Sequence, residues 1–502
     1  MNFLDNIIGQ ISPSWGYRRA AWRMGLDELR NYDAGDMSRV NQGWRVVNDS
    51  AERTDRYSRD TVRARARDLE RNSDLMNSLV GPFKRNTIGS GYLLQAQTGD
   101  EKLNAEIERL WKRWCKARNC DVTGTQTFNE ILRMAITRKK IDGGIIFLKR
   151  YTRDGVVPFQ LQMIEVDELD ASQFAPRNEG ARVVGGIEYN RHNKALGYWI
   201  RQYDIDGWEA QLPVYVDAQD VIFYYSKKRP SQVREMSDMA QTVTRIRDVN
   251  EFMTAVSVKQ RIEACLSIFI KRTYPQSGIG RGAEDVRGPR KSYDGKLLTP
   301  GMIRELNAGD DVVTVNPLGQ SADAAGFVKL QQRIMASGQG ISYEATSRDM
   351  SESTYSSARQ GIIEDELTFA EEEEKLLAVI DEIYETFIIS AVLSGALNIP
   401  AFWNDKEKYF SHEWNKAPKK WIDPGKEANA TKVALQTGQK TFKQIAAENG
   451  KDWRTQLDDM AEVQEYGMAK GLDMAAIIYG SGRSEESAQE GEEDDDVKKG
   501  RR

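Results

Sequence analysis

Between Pro230 and Pro275 the chain carries neither glycine nor proline. Its apolar residues there recur at three- and four-residue intervals: Met239, Val243, Ile246, Val249, Met253, Val256, Ile262, Cys265 and Phe269. That spacing lays them along one face of a helix. Ser237-Asp238 offers a start in which short polar side chains cap free amides. One helix over 237–270 would hold ~34 residues and, at 1.5 Å per residue, reach ~50 Å. Helices of globular proteins average three to four turns, so such a rod needs neighbours to cover its stripe.

A second proline-free helix is expected over about 355–396. Ile362, Ile363, Leu367, Leu376, Val379, Ile380, Ile383, Phe387 and Ile388 are among its apolar members. The stretch leading into it, 343–361, is rich in Ser and Thr, with both charges and two tyrosines. Such a loop suits water or a polymer backbone better than a packed core. Another helix is expected over 323–339. Nearer the front, Val62, Ala66, Leu69, Met76, Leu79 and Val80 predict a helix from about 60 to 87, broken at Gly81-Pro82. Helices also fit 101–117 and 127–140, the latter with Thr127 or Asn129 near its cap.

From 142 to 226 the texture changes. Segments 145–148, 159–164, 186–189, 197–200 and 221–225 are β-rich, and Asp154-Gly155, His192-Asn193-Lys194 and Asp206-Gly207 supply turns. Short strands are expected near 296–298, 303–306 and 312–315, and a helical segment over 424–479. Residues 1–50 show no sustained period and predict an arm that orders on assembly. The chain ends with eight acids between Glu485 and Asp496 and no base among them, a disordered tail. The fold class is α+β, mainly helical.

Of the 502 residues 40% are hydrophobic and 29% charged, and the net charge is -5. A mean hydropathy of -0.62 is wet for this length and fits long exposed helices or large polar subunit contacts. The acidic balance argues against a surface that grips DNA all over, and leaves room for a local basic stripe. Three cysteines are too few for a disulfide framework and predict a reducing compartment. No apolar run approaches the ~20 residues needed to span a bilayer. The first residues lack the charge order of a signal peptide.

Enzymatic signals are sparse. The only histidines, His192 and His412, have no nucleophile motif beside them. Cys115 and Cys120 lack the spacing and second ligand pair of a zinc site. Gly278-Ile279-Gly280-Arg281-Gly282 lacks the Lys-Ser/Thr of a phosphate loop and follows a helix where that motif wants a strand. Gly309-Asp310-Asp311 has no accompanying metal carboxylates. No catalytic residue, metal or cofactor is expected.

Arg59, Arg63, Arg67 and Arg71 recur every four residues and line one helical face. They could neutralise phosphates or meet a neighbouring subunit. The alternative is an ion-paired helix, with Asp55, Asp60, Asp68 and Glu70 in reach. The acidic run 371–374 predicts a solvated face, or pairing between subunits with Arg63 or Arg67. In the polar loop Arg348, Asp349, Ser351, Glu352, Ser353, Thr354 and Tyr355 can touch phosphates without reading bases. The plainer alternative is a bend whose hydroxyls cap the next helix.

Several blocks resemble the lambda family of tailed-phage portal proteins, in that family's order. They begin with Arg63-Ala64-Arg65-Ala66-Arg67-Asp68-Leu69-Glu70-Arg71-Asn72 and Ile88-Gly89-Ser90-Gly91-Tyr92-Leu93-Leu94-Gln95. Gly185-Gly186-Ile187-Glu188-Tyr189, Asp220-Val221-Ile222-Phe223 and Arg229-Pro230-Ser231-Gln232-Val233-Arg234 follow. Then come Thr299-Pro300-Gly301, Leu306-Asn307-Ala308-Gly309-Asp310, Tyr343-Glu344, Asp349 and Tyr355-Ser356-Ser357-Ala358-Arg359. The set closes with Trp421-Ile422-Asp423-Pro424. The likeness spans about 61–453. Two positions depart: Phe223 stands where the family usually has His, and Glu235 where Gly usually follows Arg.

The resemblance implies an arm (1–60), a wing (61–236), a stem helix (237–270), a clip (271–320) and a second stem helix (323–342). A tunnel loop (343–355), a long wing helix and return (356–420), a helical crown (421–480) and the acidic tail (481–502) complete the plan. It further implies a homo-oligomeric ring, usually a dodecamer, at one capsid vertex of the virion, assembled in the host cytoplasm. The ring would pass double-stranded DNA without sequence specificity in packaging and ejection. It would meet the terminase large subunit, head-completion or adaptor proteins, and the major capsid and scaffold proteins, with no membrane involved. One rival is a non-ring DNA-binding scaffold protein using the arginine row; another is a nuclease or capsid-maturing protease, for which the residues supply no site.

Overall fold

The computed structural model describes residues 12–28, 48–203, 206–207, 212–264, 268–272, 310–314, 324–416 and 424–472. The chain divides into two compact units, Met1–Arg56 and Tyr57–Arg502. In the first, helix α1 (Pro13–Glu28) forms where the sequence shows no apolar period. Its Ala, Arg, Met and Leu favour helix by propensity, and Trp15, Tyr17 and Trp22 are exposed. A single turn, Ala51–Asp55, follows.

The second unit opens with α2 (Arg59–Asn72) and α3 (Asp74–Phe83), then a π turn at Lys84–Ile88. The break falls at Ser73, not at the expected Gly81-Pro82. Ser73 is extended (φ -132°, ψ 121°), and its hydroxyl accepts from Asn250 Nδ2 at 2.9 Å. Pro82 lies inside α3 just before the helix widens, so its missing amide falls where the four-residue ladder is already ending. Strand β1 (Tyr92–Ala96) leads to α4 (Glu101–Trp114), whose first amides are capped by Asp100. Helix α5 (Phe128–Asp142) starts on the expected Thr127 in a capping box with Glu130. It ends at Gly143, whose φ of 94° is left-handed.

The β-rich part contains β2 (Gly144–Arg150), β3 (Gln160–Ile164), β4 (Arg182–Val184), β5 (Ile187–Tyr189), β6 (Ala195–Ile200), β7 (Val214–Asp217) and β8 (Val221–Tyr225). The order β3-β2-β8 makes one antiparallel sheet and β4-β5-β6-β7 a second. β2 is buried on both faces from Gly144 to Lys149, which accounts for its unbroken apolar run. Phe223, one of the departures, stacks on Tyr225 and meets Tyr198 edge-on, so it is a packing residue.

Helix α6 (Val243–Ala264) is shorter than the expected 237–270. At its start Ser237 and Met239 are buried in tight turns, with the Ser237 hydroxyl donating to Lys140 O and accepting from the Met239 amide. At its end, Ile268–Arg272 forms β9, paired antiparallel with β10 (Asp310–Thr314); Phe269 is therefore a strand residue. Helix α7 (Ala324–Gly338) fits the 323–339 expected from the residues and ends before the 342 implied by the resemblance. A single helical turn, Tyr343–Ser347, occupies the front of the expected loop. Helix α8 (Tyr355–Leu393) runs close to expectation.

Strand β11 (His412–Lys416) pairs antiparallel with β1, an unexpected long-range closure. Helices α9 (Pro424–Gln436), α10 (Phe442–Glu448) and α11 (Trp453–Ala469) follow. The expected strands at 296–298 and 303–306, residues 277–294, Cys265 and the tail 481–502 lie outside the described residues.

The main core gathers Trp111, Trp114, Phe128, Phe159, Tyr384 and Phe387 around the second half of α8. A second cluster seats α2, α3 and the start of α6 through Ala66, Met76, Leu79, Met239, Ile246 and Val249. Beyond Val249, α6 leaves this core and most of its residues to Arg261 are exposed. α7 runs antiparallel to it: Phe252 meets Phe327 at 4.7 Å, and Gln339 donates to Thr242 Oγ1 at 2.9 Å.

Candidate functional site

The polar loop 348–354 joins two rigid pieces. Before it, Ser342 caps the turn Tyr343–Ser347, and that cap is itself held by Asp365 of α8, which accepts from Ser342 N (2.6 Å) and Ser342 Oγ (2.7 Å). After it, Thr354 and Ser357 form the reciprocal cap of α8, with Tyr355 as the first helical residue. Arg348 closes the turn in a left-handed conformation (φ 59°), a position that an L side chain rarely takes.

Inside the loop, the Asp349 carboxylate accepts from the Ser351 amide at 3.0 Å and from Tyr343 OH at 3.4 Å. Bonds from Ser351 hold it below the ordinary carboxylate range, and nearby Lys329 adds to this. Glu352 reaches back to α7, where one oxygen meets Lys329 Nζ at 2.6 Å and the other Arg333 Nη2 at 3.2 Å. Ser353 Oγ donates to Glu344 at 3.4 Å. Arg348, Met350, Ser351, Glu352 and Thr354 remain exposed. Arg348 makes no ion pair among the described residues, and its charge lies near Arg85, whose pKa is lowered first by burial and then by Arg348. The loop thus presents hydrogen-bonding groups, and a cation without an ion pair among the described residues, on a braced frame.

The arginine row turns inward. Arg63 is buried and meets Asp60 (2.6 Å), Asp167 (2.7 Å) and Glu235 (3.0 Å). Arg67 meets Asp142 (2.7 Å), Glu165 (3.0 Å) and Asp167 (2.6 Å); the last two are charge contacts of Nη2 without hydrogen-bond alignment. Arg59 Nε donates to Glu235 O at 2.9 Å. Arg71 alone is exposed, 3.9 Å from Asp68. Most of the acids that meet the row are remote in sequence; of the expected local set, Asp60 and Asp68 take part. Glu235, the second departure, is fully buried between Arg63 and Arg234. Where a glycine would leave space, its carboxylate balances two guanidiniums.

The acidic run 371–374 is not uniformly solvated. Glu372 is buried and bonds Lys139, while Lys140 lies 3.4 Å from its other oxygen; Glu373 meets Lys416 at 2.5 Å. Asp238 completes the cluster at 3.4 Å from Lys139, 3.5 Å from Lys140 and 3.0 Å from Lys228. Burial pushes Asp238 and Glu372 up, but the lysines outweigh it and both carboxyls lie below their ordinary range. Burial lowers Lys140 despite the same acids. The run of like charges conceals this: one acid in four points inward, which helical spacing allows.

Neither histidine faces a nucleophile. His192 lies exposed in the turn next to Asn193, whose φ is 63°. His412 Nδ1 is 2.6 Å from Phe410 O and Nε2 3.0 Å from Asp381. Among the described residues no group of three or more His, Cys, Asp or Glu could hold a metal ion, and no helix is long and apolar enough to cross a membrane.

Comparison with known proteins bears on this arrangement. The family described as "Phage portal protein, lambda family" matches residues 37–372. The "Probable portal protein" of Halomonas phage phiHAP-1 is 26% identical over 447 residues, 84% of each chain. "Portal protein B" of Escherichia phage lambda is 18% identical over 469 residues, 85% of this chain and 88% of its own. Among solved structures, a chain from the neck of an empty gene transfer agent particle aligns over 75% of this chain and 90% of its own, at 14% identity and a TM-score of 0.42. With more than half of its length matched by the family, the chain belongs to the lambda family of phage portal proteins, a structural and not an enzymatic family.

Proposed function

We propose that the chain assembles as a ring, of twelve subunits as is usual in its family, at one vertex of the capsid. Double-stranded DNA passes through its channel during packaging and ejection. In this reading 243–264 and 324–338 are the stem, 348–354 border the channel, and 424–472 belong to the crown. The terminase large subunit, head-completion or adaptor proteins, and capsid and scaffold proteins are its partners. The channel-facing loop touches phosphates through Arg348 and the loop hydroxyls, without base contacts, because every genome sequence must pass.

The observation that carries the ring is the apolar surface left on the helices around the loop. Met253 and Val258 on α6, Phe327, Leu330 and Ile334 on α7, and Ile362, Ile363 and Leu367 on α8 are all exposed. Scattered exposed leucines are ordinary, but a series along three associated helices calls for cover. Adjacent copies of the same helices supply it. The rival of a non-ring DNA-binding scaffold needs the arginine row free, and Arg63 and Arg67 are engaged with acids.

Negative-stain electron microscopy with light scattering tests this. Rings with an axial hole and a mass near twelve subunits are expected. A monomer that stays a monomer at high concentration, with and without capsid and scaffold protein, would refute it.

A further inference from the structure

Three features near the loop have no part in the function just described: Lys329 and Arg333 of α7, and the ring of Tyr343. The two cations stand four residues apart, one helical turn, and so project on the same side of α7. Lys329 Nζ lies 5.6 Å and Arg333 Cζ 5.5 Å from the centre of the Tyr343 ring. The Glu352 carboxylate sits across both, one oxygen on each. Asp349 adds a second negative charge near Lys329. This is the geometry in which a paired oxyanion is held by two cations over an aromatic floor.

A phosphodiester offers the same chemistry, two equivalent oxygens sharing one negative charge. The Glu352 side chain is two-thirds exposed, and so is not locked in by burial. An ion pair in that setting contributes little to stability and exchanges readily. Its carrier is a short loop, so release of Glu352 breaks only its own bonds to α7. The caps at Ser342 and Thr354 do not depend on it.

We infer that Lys329 and Arg333 form a phosphodiester-binding site that the protein's own Glu352 occupies until a DNA phosphate displaces it. The site rests on the proposed passage of DNA beside this loop and deepens it. Arg348 offers a cation that is always available, whereas Lys329 and Arg333 become available only when Glu352 swings out. The exchange swings the Glu352 side chain out as a phosphate binds, and lets it return when the phosphate leaves.

The test measures binding of a short random-sequence DNA duplex to full-length assembled protein across 50–300 mM salt. Glu352→Gln removes the resident anion and is expected to tighten binding about two- to fivefold at fixed salt. Lys329→Ala with Arg333→Ala is expected to weaken binding and to flatten the salt slope by about 0.9 for each phosphate that is no longer neutralised. In that double background Glu352→Gln should have no effect. If Glu352→Gln leaves binding unchanged or weakens it, or if the double alanine variant keeps the wild-type slope, the inference fails. Should Glu352→Gln fail to assemble, the slope of the double variant decides.

Arg348→Ala separates the two levels. A reduced slope there with no effect at Lys329 and Arg333 retains the loop's role and removes only this site. Wild-type rings that bind no duplex at 50 mM salt overturn both.

Discussion

Glu372→Gln is the most informative single change in the folded chain. It keeps the size of the side chain and removes its charge. Lys139, with no solvent exposure, would then face only Asp238 at 3.4 Å, and Lys140 would depend on the same carboxylate at 3.5 Å. Removing one partner from a buried pair costs about 3–5 kcal/mol, because the other charge stays desolvated. Asp238 remains near Lys139, Lys140 and Lys228, so the lower end, about 3 kcal/mol, is expected. Replacing both members, Lys139→Met with Glu372→Leu, should cost far less than the two single changes added together, giving a coupling of about 2 kcal/mol.

Urea unfolding followed by tryptophan fluorescence is the assay, since Trp111 and Trp414 pack against Tyr384 of α8. The acid limb gives a second test. Glu372 has a lowered pKa in the folded protein, so its stabilisation is present above the unfolded value of 4.5 and fades as pH falls through the lower folded value. Glu372→Gln should flatten that limb. A loss under about 1 kcal/mol for the single variant, or strict additivity of the two changes, would refute the view of Glu372 as counter-ion to a buried lysine pair.

Three further outcomes are expected. Burial alone would lower the His412 pKa, but the bonds to Asp381 and Phe410 O raise it; its contribution should be full below pH 6.5 and lost as pH rises through the folded value, so the stability gap to His412→Gln should close on going from pH 6 to pH 9. At Gly143 an added Cβ would lie 2.4 Å from the Met236 carbonyl carbon at a φ of 94°; Gly143→Ala should cost about 3 kcal/mol or abolish soluble protein, read from the urea midpoint and yield. Replacing residues 349–354 with a Gly/Ser linker should spare ring assembly and impair DNA packaging or retention; a normal packaged genome length in that variant would remove the loop's role.

Local signals in the chain are readable where local physics decides. Thr127, one of the two expected cap positions, marks the start of α5, and the long period after Tyr355 announces α8 almost to its end. The loop before α8 is legible as a polar connector, although its first five residues make a helical turn once Asp365 holds Ser342. What is not legible depends on distant partners. β1 finds β11 more than three hundred residues away, and Arg63 finds Asp167 and Glu235 in addition to the nearby Asp60. The end of α6 is hidden for a related reason. Ile268, Phe269 and Ile270 satisfy either period, and pairing with β10 decides for strand. Glu352 illustrates the same limit at the candidate site, since its contact with Lys329 and Arg333 is a property of how α7 and the loop meet.

Helix α8 is also a lever. Its residues from Phe369 to Ala391 are clamped in the main core, while residues 355–368 project toward the loop. That segment, in which Asp365 is buried against Ser342, is ~21 Å long at 1.5 Å per residue. A tilt of about 5° at the clamp would carry its tip by ~2 Å, roughly a fifth of the diameter of a helix with its side chains. Bonds from Thr368 to Gly340 and from Ser342 to Asp365 make the turn Tyr343–Ser347 ride on the same arm. The fulcrum is where Glu372 meets the buried lysines. A shift of charge or packing at that pivot is therefore magnified at the tip, and a push on the tip is returned to the core with its travel reduced and its force increased.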